Sequence, residues 1–227
     1  MKKLSIFLFV LMTALFVAAC GGETAGTNAQ GEKIAAGNSD TAKRAASPAE
    51  GKKILVAFFS RTGDNYAVGN IEKGNTHIVA DMIAEMTGAD TFEIKTVQTY
   101  PADYKETTEV AKREQEENAR PELAAQVPNM ADYDVVFLGY PIWWSDLPMP
   151  VYTFLESYDW NGKTIVPFVT SAGDVLTGKE RDIPNYAKGA KMLDGIGFEG
   201  KHVQENPDSV RPEVEKWLAG LGFVHQK

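Results

Sequence analysis

Beyond residue 50, three stretches of the chain are apolar or nearly so, and polar segments separate them. After Lys53, residues 54–59 read Ile-Leu-Val-Ala-Phe-Phe; Val135, Val136, Phe137 and Leu138 lead to Gly139; and residues 164–170 read Thr-Ile-Val-Pro-Phe-Val-Thr. Short continuous apolar runs of this kind predict strands buried on both faces. Residues 76–87 instead place Ile78, Val79, Met82, Ile83 and Met86 at helical spacing, and Gly88 stands ready as a stop. Residues 90–95 alternate, with Phe92 and Ile94 inward, and predict a short strand. Residues 103–119 predict a highly charged, mostly exposed helix, and residues 150–158 a further helix before the turn at Asn161-Gly162. A short helical stretch at 181–188, a weak strand at 191–193 and a terminal amphipathic helix at 212–221 (Val214, Trp217, Leu218, Leu221) complete the pattern.

Strands separated by helices form right-handed βαβ units, so the class is α/β with a parallel sheet covered on both faces. Ligands of such sheets sit beyond the carboxyl ends of the strands. Whatever follows Phe59, Leu138 and Val169 therefore carries the chemistry.

The first fifty residues break this texture. Met1-Lys2-Lys3 precedes an apolar run at residues 4–19, too short for a membrane span, that ends Val17-Ala18-Ala19-Cys20. Residues 1–20 read as a signal peptide whose end resembles the lipobox of bacterial lipoproteins, with Cys20 as the lipidated first mature residue; an ordinary secretory signal with a chance cysteine, or an uncleaved anchor, is the alternative. Residues 21–50 are small and polar without an aromatic, a disordered tether with a reach of roughly 30 Å. The folded domain is expected at 51–227, in the cell envelope, lipid-anchored and facing outside the cytoplasmic membrane.

Charge and composition exclude several classes. The chain carries −8; the segment after residue 50 keeps 18 basic and 27 acidic residues, hence −9. So acidic a domain disfavours nucleic acid and anionic lipid heads, which leaves the lipid anchor as the membrane contact. One cysteine and three scattered histidines (His77, His202, His225) speak against a disulfide framework, an iron–sulfur cluster or a histidine metal cage.

The three loops have distinct chemistries. Ser60-Arg61-Thr62-Gly63-Asp64-Asn65 leads, after an excursion, to Gly74-Asn75-Thr76 at the start of the first helix. Hydroxyls and glycines before a helix amino terminus suit an anion; equally, Ser60 and Thr76 suit capping and turning the chain. Tyr140-Pro141-Ile142-Trp143-Trp144-Ser145 holds two adjacent indoles, which diverge and cannot both face inward, so a flat aromatic ligand is one reason for leaving one near solvent. Ser171-Ala172-Gly173-Asp174 is small enough for close backbone approach.

Together, Ser60-Arg61-Thr62-Gly63-Asp64-Asn65-Tyr66, Lys73-Gly74-Asn75-Thr76, Gly139-Tyr140-Pro141-Ile142-Trp143-Trp144 and Pro167-Phe168-Val169-Thr170-Ser171-Ala172-Gly173 resemble the flavodoxin-like FMN-binding family, in its branch with a long first loop. That resemblance covers residues 52–221. It implies a three-layer, doubly wound, five-stranded parallel sheet of order 2-1-3-4-5. It also implies FMN, its phosphate held by Ser60, Thr62, Asn75 and Thr76, and its ring flanked by the 141–144 and 171–174 loops. The implied cofactor-binding set is Ser60, Arg61, Thr62, Asn65, Asn75, Thr76, Pro141, Ile142, Trp143, Trp144, Ser171 and Gly173, with no catalytic residue and no metal ligand. Ala172 and Asp174 depart from the family's Gly and Ser; a carboxylate at Asp174, if it faces the flavin, disfavours its anionic reduced forms.

Other motifs fall away. Gly195-Ile196-Gly197-Phe198-Glu199-Gly200 matches a dinucleotide-binding string but is expected to follow no strong strand and open no helix. Neither a P-loop nor a nucleophile elbow occurs. Glu114, Glu116 and Glu117 beside Lys112 and Arg113 read as a solvated face. The expected function is FMN-dependent electron transfer between a reduced donor and an acceptor, or FMN-dependent reduction of quinones or nitro compounds. The alternative is a non-redox ligand-binding lipoprotein that kept the fold without flavin.

Overall fold

The computed structural model describes Ala49, residues 51–173 and residues 176–224. The signal peptide, Cys20, the tether apart from Ala49, and Asp174 lie outside the described residues. Strand β1 (Ile54–Phe58) is fully buried and runs parallel to β4 (Asp90–Glu93) on one side and β5 (Val135–Pro141) on the other. Next to β5 lies β6 (Thr164–Ser171), again parallel. The last place is shared by two short strands, β7 (Lys191–Met192) beside Thr164 and Ile165, and β8 (Ile196–Glu199) beside Phe168 to Ser171. The order β4-β1-β5-β6-β7 is the expected 2-1-3-4-5, with the fifth position divided.

Successive side chains of a strand point to opposite faces, and this period divides the core in two. Leu55, Ala57, Phe59, Val136, Leu138 and Ile165 enter one layer together with α3 (Met149–Glu156). Ile54, Val56, Phe58, Val135, Phe137 and Val166 enter the other with α1 (Asn75–Thr87) and α6 (Pro207–Gly220). Gly88, at φ 69°, ends α1 with its N–H on Ala84 O, a left-handed cap that glycine adopts without strain. Gly139 serves close packing: a Cβ there would lie 2.2 Å from Phe168 Cζ.

Two features add detail to the expectations and one departs from them. The excursion after β1 is a hairpin of β2 (Gly63–Asn65) and β3 (Gly69–Ile71). The charged helix α2 (Tyr104–Glu116), N-capped by the Asp103 carboxylate on Glu106 N–H, turns part of one side inward: Thr107 and Ala111 are buried. The Gly195–Gly200 segment is itself largely strand β8 and does run into a helix, α5 (Gly200–Glu205), contrary to the expectation that it opens none. The remaining short helix, α4 (Ile183–Tyr186), follows a single 3-10 turn at Lys179–Asp182. Among the described residues no helix is long and apolar enough to cross a membrane.

Candidate functional site

A cleft of about 390 Å3 opens at the carboxyl ends of the central strands. Its floor comes from strand ends: Pro141 and Ile142 after β5, Thr170, Ser171 and Ala172 at the end of β6. The amino termini of α1 and α5 supply Asn75, Gly200 and Lys201. These termini meet closely, since a Cβ on Gly200 would stand 2.2 Å from Asn75 Nδ2. The β2–β3 hairpin adds Asn65, Tyr66 and Ala67. Helix α2 adds Tyr104, Thr107, Thr108 and Ala111, spaced i, i+3, i+4, i+7 along one face.

The first amides of a helix have no carbonyl behind them in the helix. At α1 the third of these, His77 N–H, donates to Ser60 Oγ at 3.2 Å, so a hydroxyl from the preceding loop caps the helix. Gly74, the N-cap position, has no room for a side chain: a Cβ would lie 2.2 Å from Ser60 Oγ and 2.5 Å from Arg61 O. Asn75, the first residue of α1, lines the cleft, and its Oδ1 is buried without a hydrogen-bond partner among the described residues. Thr76 is 1% exposed and faces the sheet, its hydroxyl 2.7 Å from that of Thr170.

Arg61 lines the cleft, yet its guanidinium donates to three backbone carbonyls: Asp64 O, Pro101 O at 2.9 Å and Ala102 O at 2.6 Å. It fastens the hairpin to the turn before α2. Its Nε is buried without a partner among the described residues. Burial pulls the guanidinium below its ordinary value, and nearby Asp64 and Asp103 pull the other way. Asn65 Nδ2 donates to Gly63 O at 3.0 Å within the same loop.

The two indoles diverge as neighbouring side chains must, and both line the cleft. Trp143 packs edge-on against Phe59 at 5.3 Å and Tyr100 at 5.1 Å, anchored in the core. Trp144 is 51% exposed; its Nε1 donates to Thr108 O at 3.0 Å, and Lys112 Nζ lies 5.6 Å from its ring centre. The turn that carries them is closed by Trp143 N–H to Asp146 O at 3.0 Å and Asp146 N–H to Trp143 O at 2.9 Å. Its two central residues, Trp144 and Ser145, have φ of 49° and 61°. Two residues with positive φ make the turn whose usual occupants are Asn-Gly; non-glycine residues held there cost of order 1–3 kcal/mol each.

Of the twelve expected cofactor-binding residues, the cleft gathers Arg61, Asn65, Asn75, Pro141, Ile142, Trp143, Trp144 and Ser171. Ser60 and Thr76 stand just behind it as the cap and the strap of α1, Thr62 is exposed outside its lining, and Gly173 N–H turns to Ser171 Oγ at 3.4 Å. Sequence reasoning missed Tyr66, the α2 face, Thr170, and Gly200 with Lys201. The signals were present: small residues at helical spacing within a charged helix, and a glycine where a strand meets a helix. The carboxylate row also needs correction. Glu114 is not on the solvated face; it is half-buried and accepts from Tyr100 OH at 2.6 Å. Desolvation raises the Glu114 pKa, partly offset by that hydrogen bond. Burial, with the Glu114 contact, pushes Tyr100 up as well. Among the described residues no group of three or more His, Cys, Asp or Glu could hold a metal ion.

A family model described as flavodoxin matches residues 53–218. A protein described as a flavoprotein from Bacteroides uniformis ATCC 8492 is 28% identical, with a TM-score of 0.60 over 74% of this chain and 98% of its own. Its counterpart from Bacteroides eggerthii DSM 20697 is 27% identical, with a TM-score of 0.59 over 75% and 98%. A Lactobacillus acidophilus NCFM flavoprotein, solved in complex with FMN, shares the fold at 23% identity and a TM-score of 0.50, over 63% of this chain and 91% of its own. No curated protein matches the chain.

Proposed function

We propose, from the premise that this chain belongs to the flavodoxin family, that it binds FMN in the cleft beyond β1, β5 and β6 and works as a redox protein. The observation that carries this is the convergence on one cavity of a helix amino terminus, two indoles, and Asn75 and Arg61, whose Oδ1 and Nε are buried without a partner among the described residues. FMN offers the complement of each: a phosphate for the amides opening α1, hydroxyls and phosphate oxygens for those two atoms, and a flat ring for the indoles. The solved FMN complex of the Lactobacillus relative supports the choice of ligand.

When bound, FMN supplies a ring that takes up and releases electrons. The chain contributes position, electrostatics and exclusion of water. The Asn75 and Thr76 amides favour an anion, and Ser60 keeps that helix end aligned through His77 N–H. Trp143, wedged on Phe59 and Tyr100, gives the ring a wall that does not move with solvent. Tyr66 and Tyr104, with ring centres 6.1 Å apart, add two further aromatic rings to the lining of the cleft. No general acid or base is required for electron exchange at a flavin. The basic start, short apolar run and Val17-Ala18-Ala19-Cys20 support a lipid-anchored protein of the cell envelope, working outside the cytoplasmic membrane.

The test is purification of the full-length protein from membranes. A yellow protein holding one FMN per chain, with affinity lowered by Asn75→Ala by about fivefold or more, is the expected result. A colourless protein that takes up no added FMN would overturn the reading and leave a non-redox binding lipoprotein.

A further inference from the structure

We propose that Asp146 is the positioning residue of the tryptophan turn: its carboxylate holds Trp144 and Ser145 in left-handed backbone and thereby sets where both indoles stand on the cleft. The functional consequence rests on the FMN reading above; the local role does not.

The turn lacks the residues that would adopt its shape unaided. Glycine and asparagine tolerate positive φ, whereas Trp144 at 49° and Ser145 at 61° need support from outside the turn. The two backbone bonds between Trp143 and Asp146 close any two-residue turn and do not select this hand. The support comes from Asp146. Its Oδ1 accepts from Leu147 N–H at 2.8 Å and from Tyr152 OH at 2.7 Å. Its Oδ2 lies 3.8 Å from Lys179 Nζ. Leu147 and Tyr152 are buried, so both donors are fixed by the core around α3. From the other side, Trp144 reaches α2 through Nε1 to Thr108 O, and Gln115 Nε2 donates to Trp144 O at 3.4 Å. The turn is thus hung between α2 and α3.

Asp146 does not line the cleft, so any effect it has on a ligand passes through the indoles or through its charge. Asparagine keeps the acceptor for Leu147 N–H and Tyr152 OH while removing the charge. Alanine removes both. Ser145→Gly removes the Ser145 share of the backbone strain that Asp146 resists, leaving that of Trp144. These substitutions separate position from charge and from general destabilisation.

The experiment uses the full-length protein and its Asp146→Asn, Asp146→Ala and Asp146→Ala/Ser145→Gly variants, with Tyr152→Phe as a milder perturbation should Asp146→Ala fail to fold. Near-ultraviolet circular dichroism of the flavin-free protein reports the indoles, and FMN titration reports the cleft. Asp146→Ala is expected to collapse the tryptophan dichroism and raise the FMN Kd about tenfold, with Asp146→Asn within about threefold of the parent. Adding Ser145→Gly to Asp146→Ala is expected to restore both signals to within about threefold. Asp146→Ala indistinguishable from the parent, or a loss that neither asparagine nor glycine recovers, overturns the proposal. Asp146→Asn as damaging as Asp146→Ala also overturns it, by assigning the effect to charge. If the parent itself takes up no FMN, the functional reading falls and the dichroism alone decides the role of Asp146.

Discussion

Replacing Gly200 by alanine probes the junction where the two helix termini meet. The new methyl carbon would lie 2.2 Å from Asn75 Nδ2, 3.1 Å from Asn75 Cγ and 3.5 Å from Ser171 O. Carbon and nitrogen rest comfortably at about 3.5 Å, so the Asn75 amide must retreat by roughly 1.3 Å. In a rigid core such overpacking costs ~1–3 kcal/mol, but Asn75 edges a cavity and its side chain can turn into it. Alanine at the first position of α5 also regains up to about 1 kcal/mol of helix propensity. The flavin-free protein should therefore melt within about 4 °C of the parent. Affinity should suffer instead, because the displaced amide both abandons its partner on the ligand and occupies ligand space. A loss of about 1–2 kcal/mol corresponds to a five- to thirtyfold higher Kd. Flavin fluorescence titration reads this directly. In an Asn75→Ala background the clash disappears, so Gly200→Ala should add almost nothing. Unchanged affinity in the single variant, or the same penalty with and without Asn75, would refute the reasoning.

Further outcomes follow from the core and from the buried titratable groups. Lys163 is 8% exposed and donates to Met130 O at 2.9 Å, Ala131 O at 3.2 Å and Tyr133 O at 2.6 Å. Lys163→Met should destabilise by about 3 kcal/mol, or roughly 6–12 °C in melting temperature, while leaving FMN affinity intact, because Lys163 directly precedes β6 and the cleft lies at the other end of that strand; a loss below about 1 kcal/mol would contradict its role. Gly139→Ala forces a methyl against the buried Phe168 ring and should lower stability by about 2–3 kcal/mol in urea unfolding, with Phe168→Leu relieving it. Burial holds Glu114 above its ordinary 4.5. A carboxyl raised in the folded state contributes stability that is full below its unfolded pKa and is lost as pH rises through the folded value. Glu114→Gln should therefore gain on the parent in urea unfolding as pH rises above about 4.5, and a difference that stays constant over that rise would oppose the assignment.

Much of the fold was legible because buried parallel strands have nothing to alternate. The runs ending at Phe59, Gly139 and Thr170 could hardly be anything else, and the cleft at their ends followed from the topology. The divergence of Trp143 and Trp144 was equally a matter of backbone geometry. The remainder was decided by tertiary context. Nothing in the β2–β3 segment alternates, and its hairpin is held from outside by Arg61 on the 101–102 carbonyls. The inward face of α2 is made of Thr107 and Ala111, too small to register beside its charges. Thr76 was legible as a helix-start hydroxyl, but which way it points depends on Thr170, far along the chain. Glu114 looked like its charged neighbours until Tyr100 arrived beside it.

The central claim is that FMN lies in this cleft against the paired indoles. Titration of the flavin-free full-length protein with FMN, following flavin and tryptophan emission together, tests it most directly. Saturation at one FMN per chain, with tryptophan emission quenched in step and both effects weakened by Asn75→Ala, is the predicted result. Tryptophan emission that stays constant while FMN is added to excess, or saturable binding indifferent to Asn75 and to both indoles, would contradict the claim.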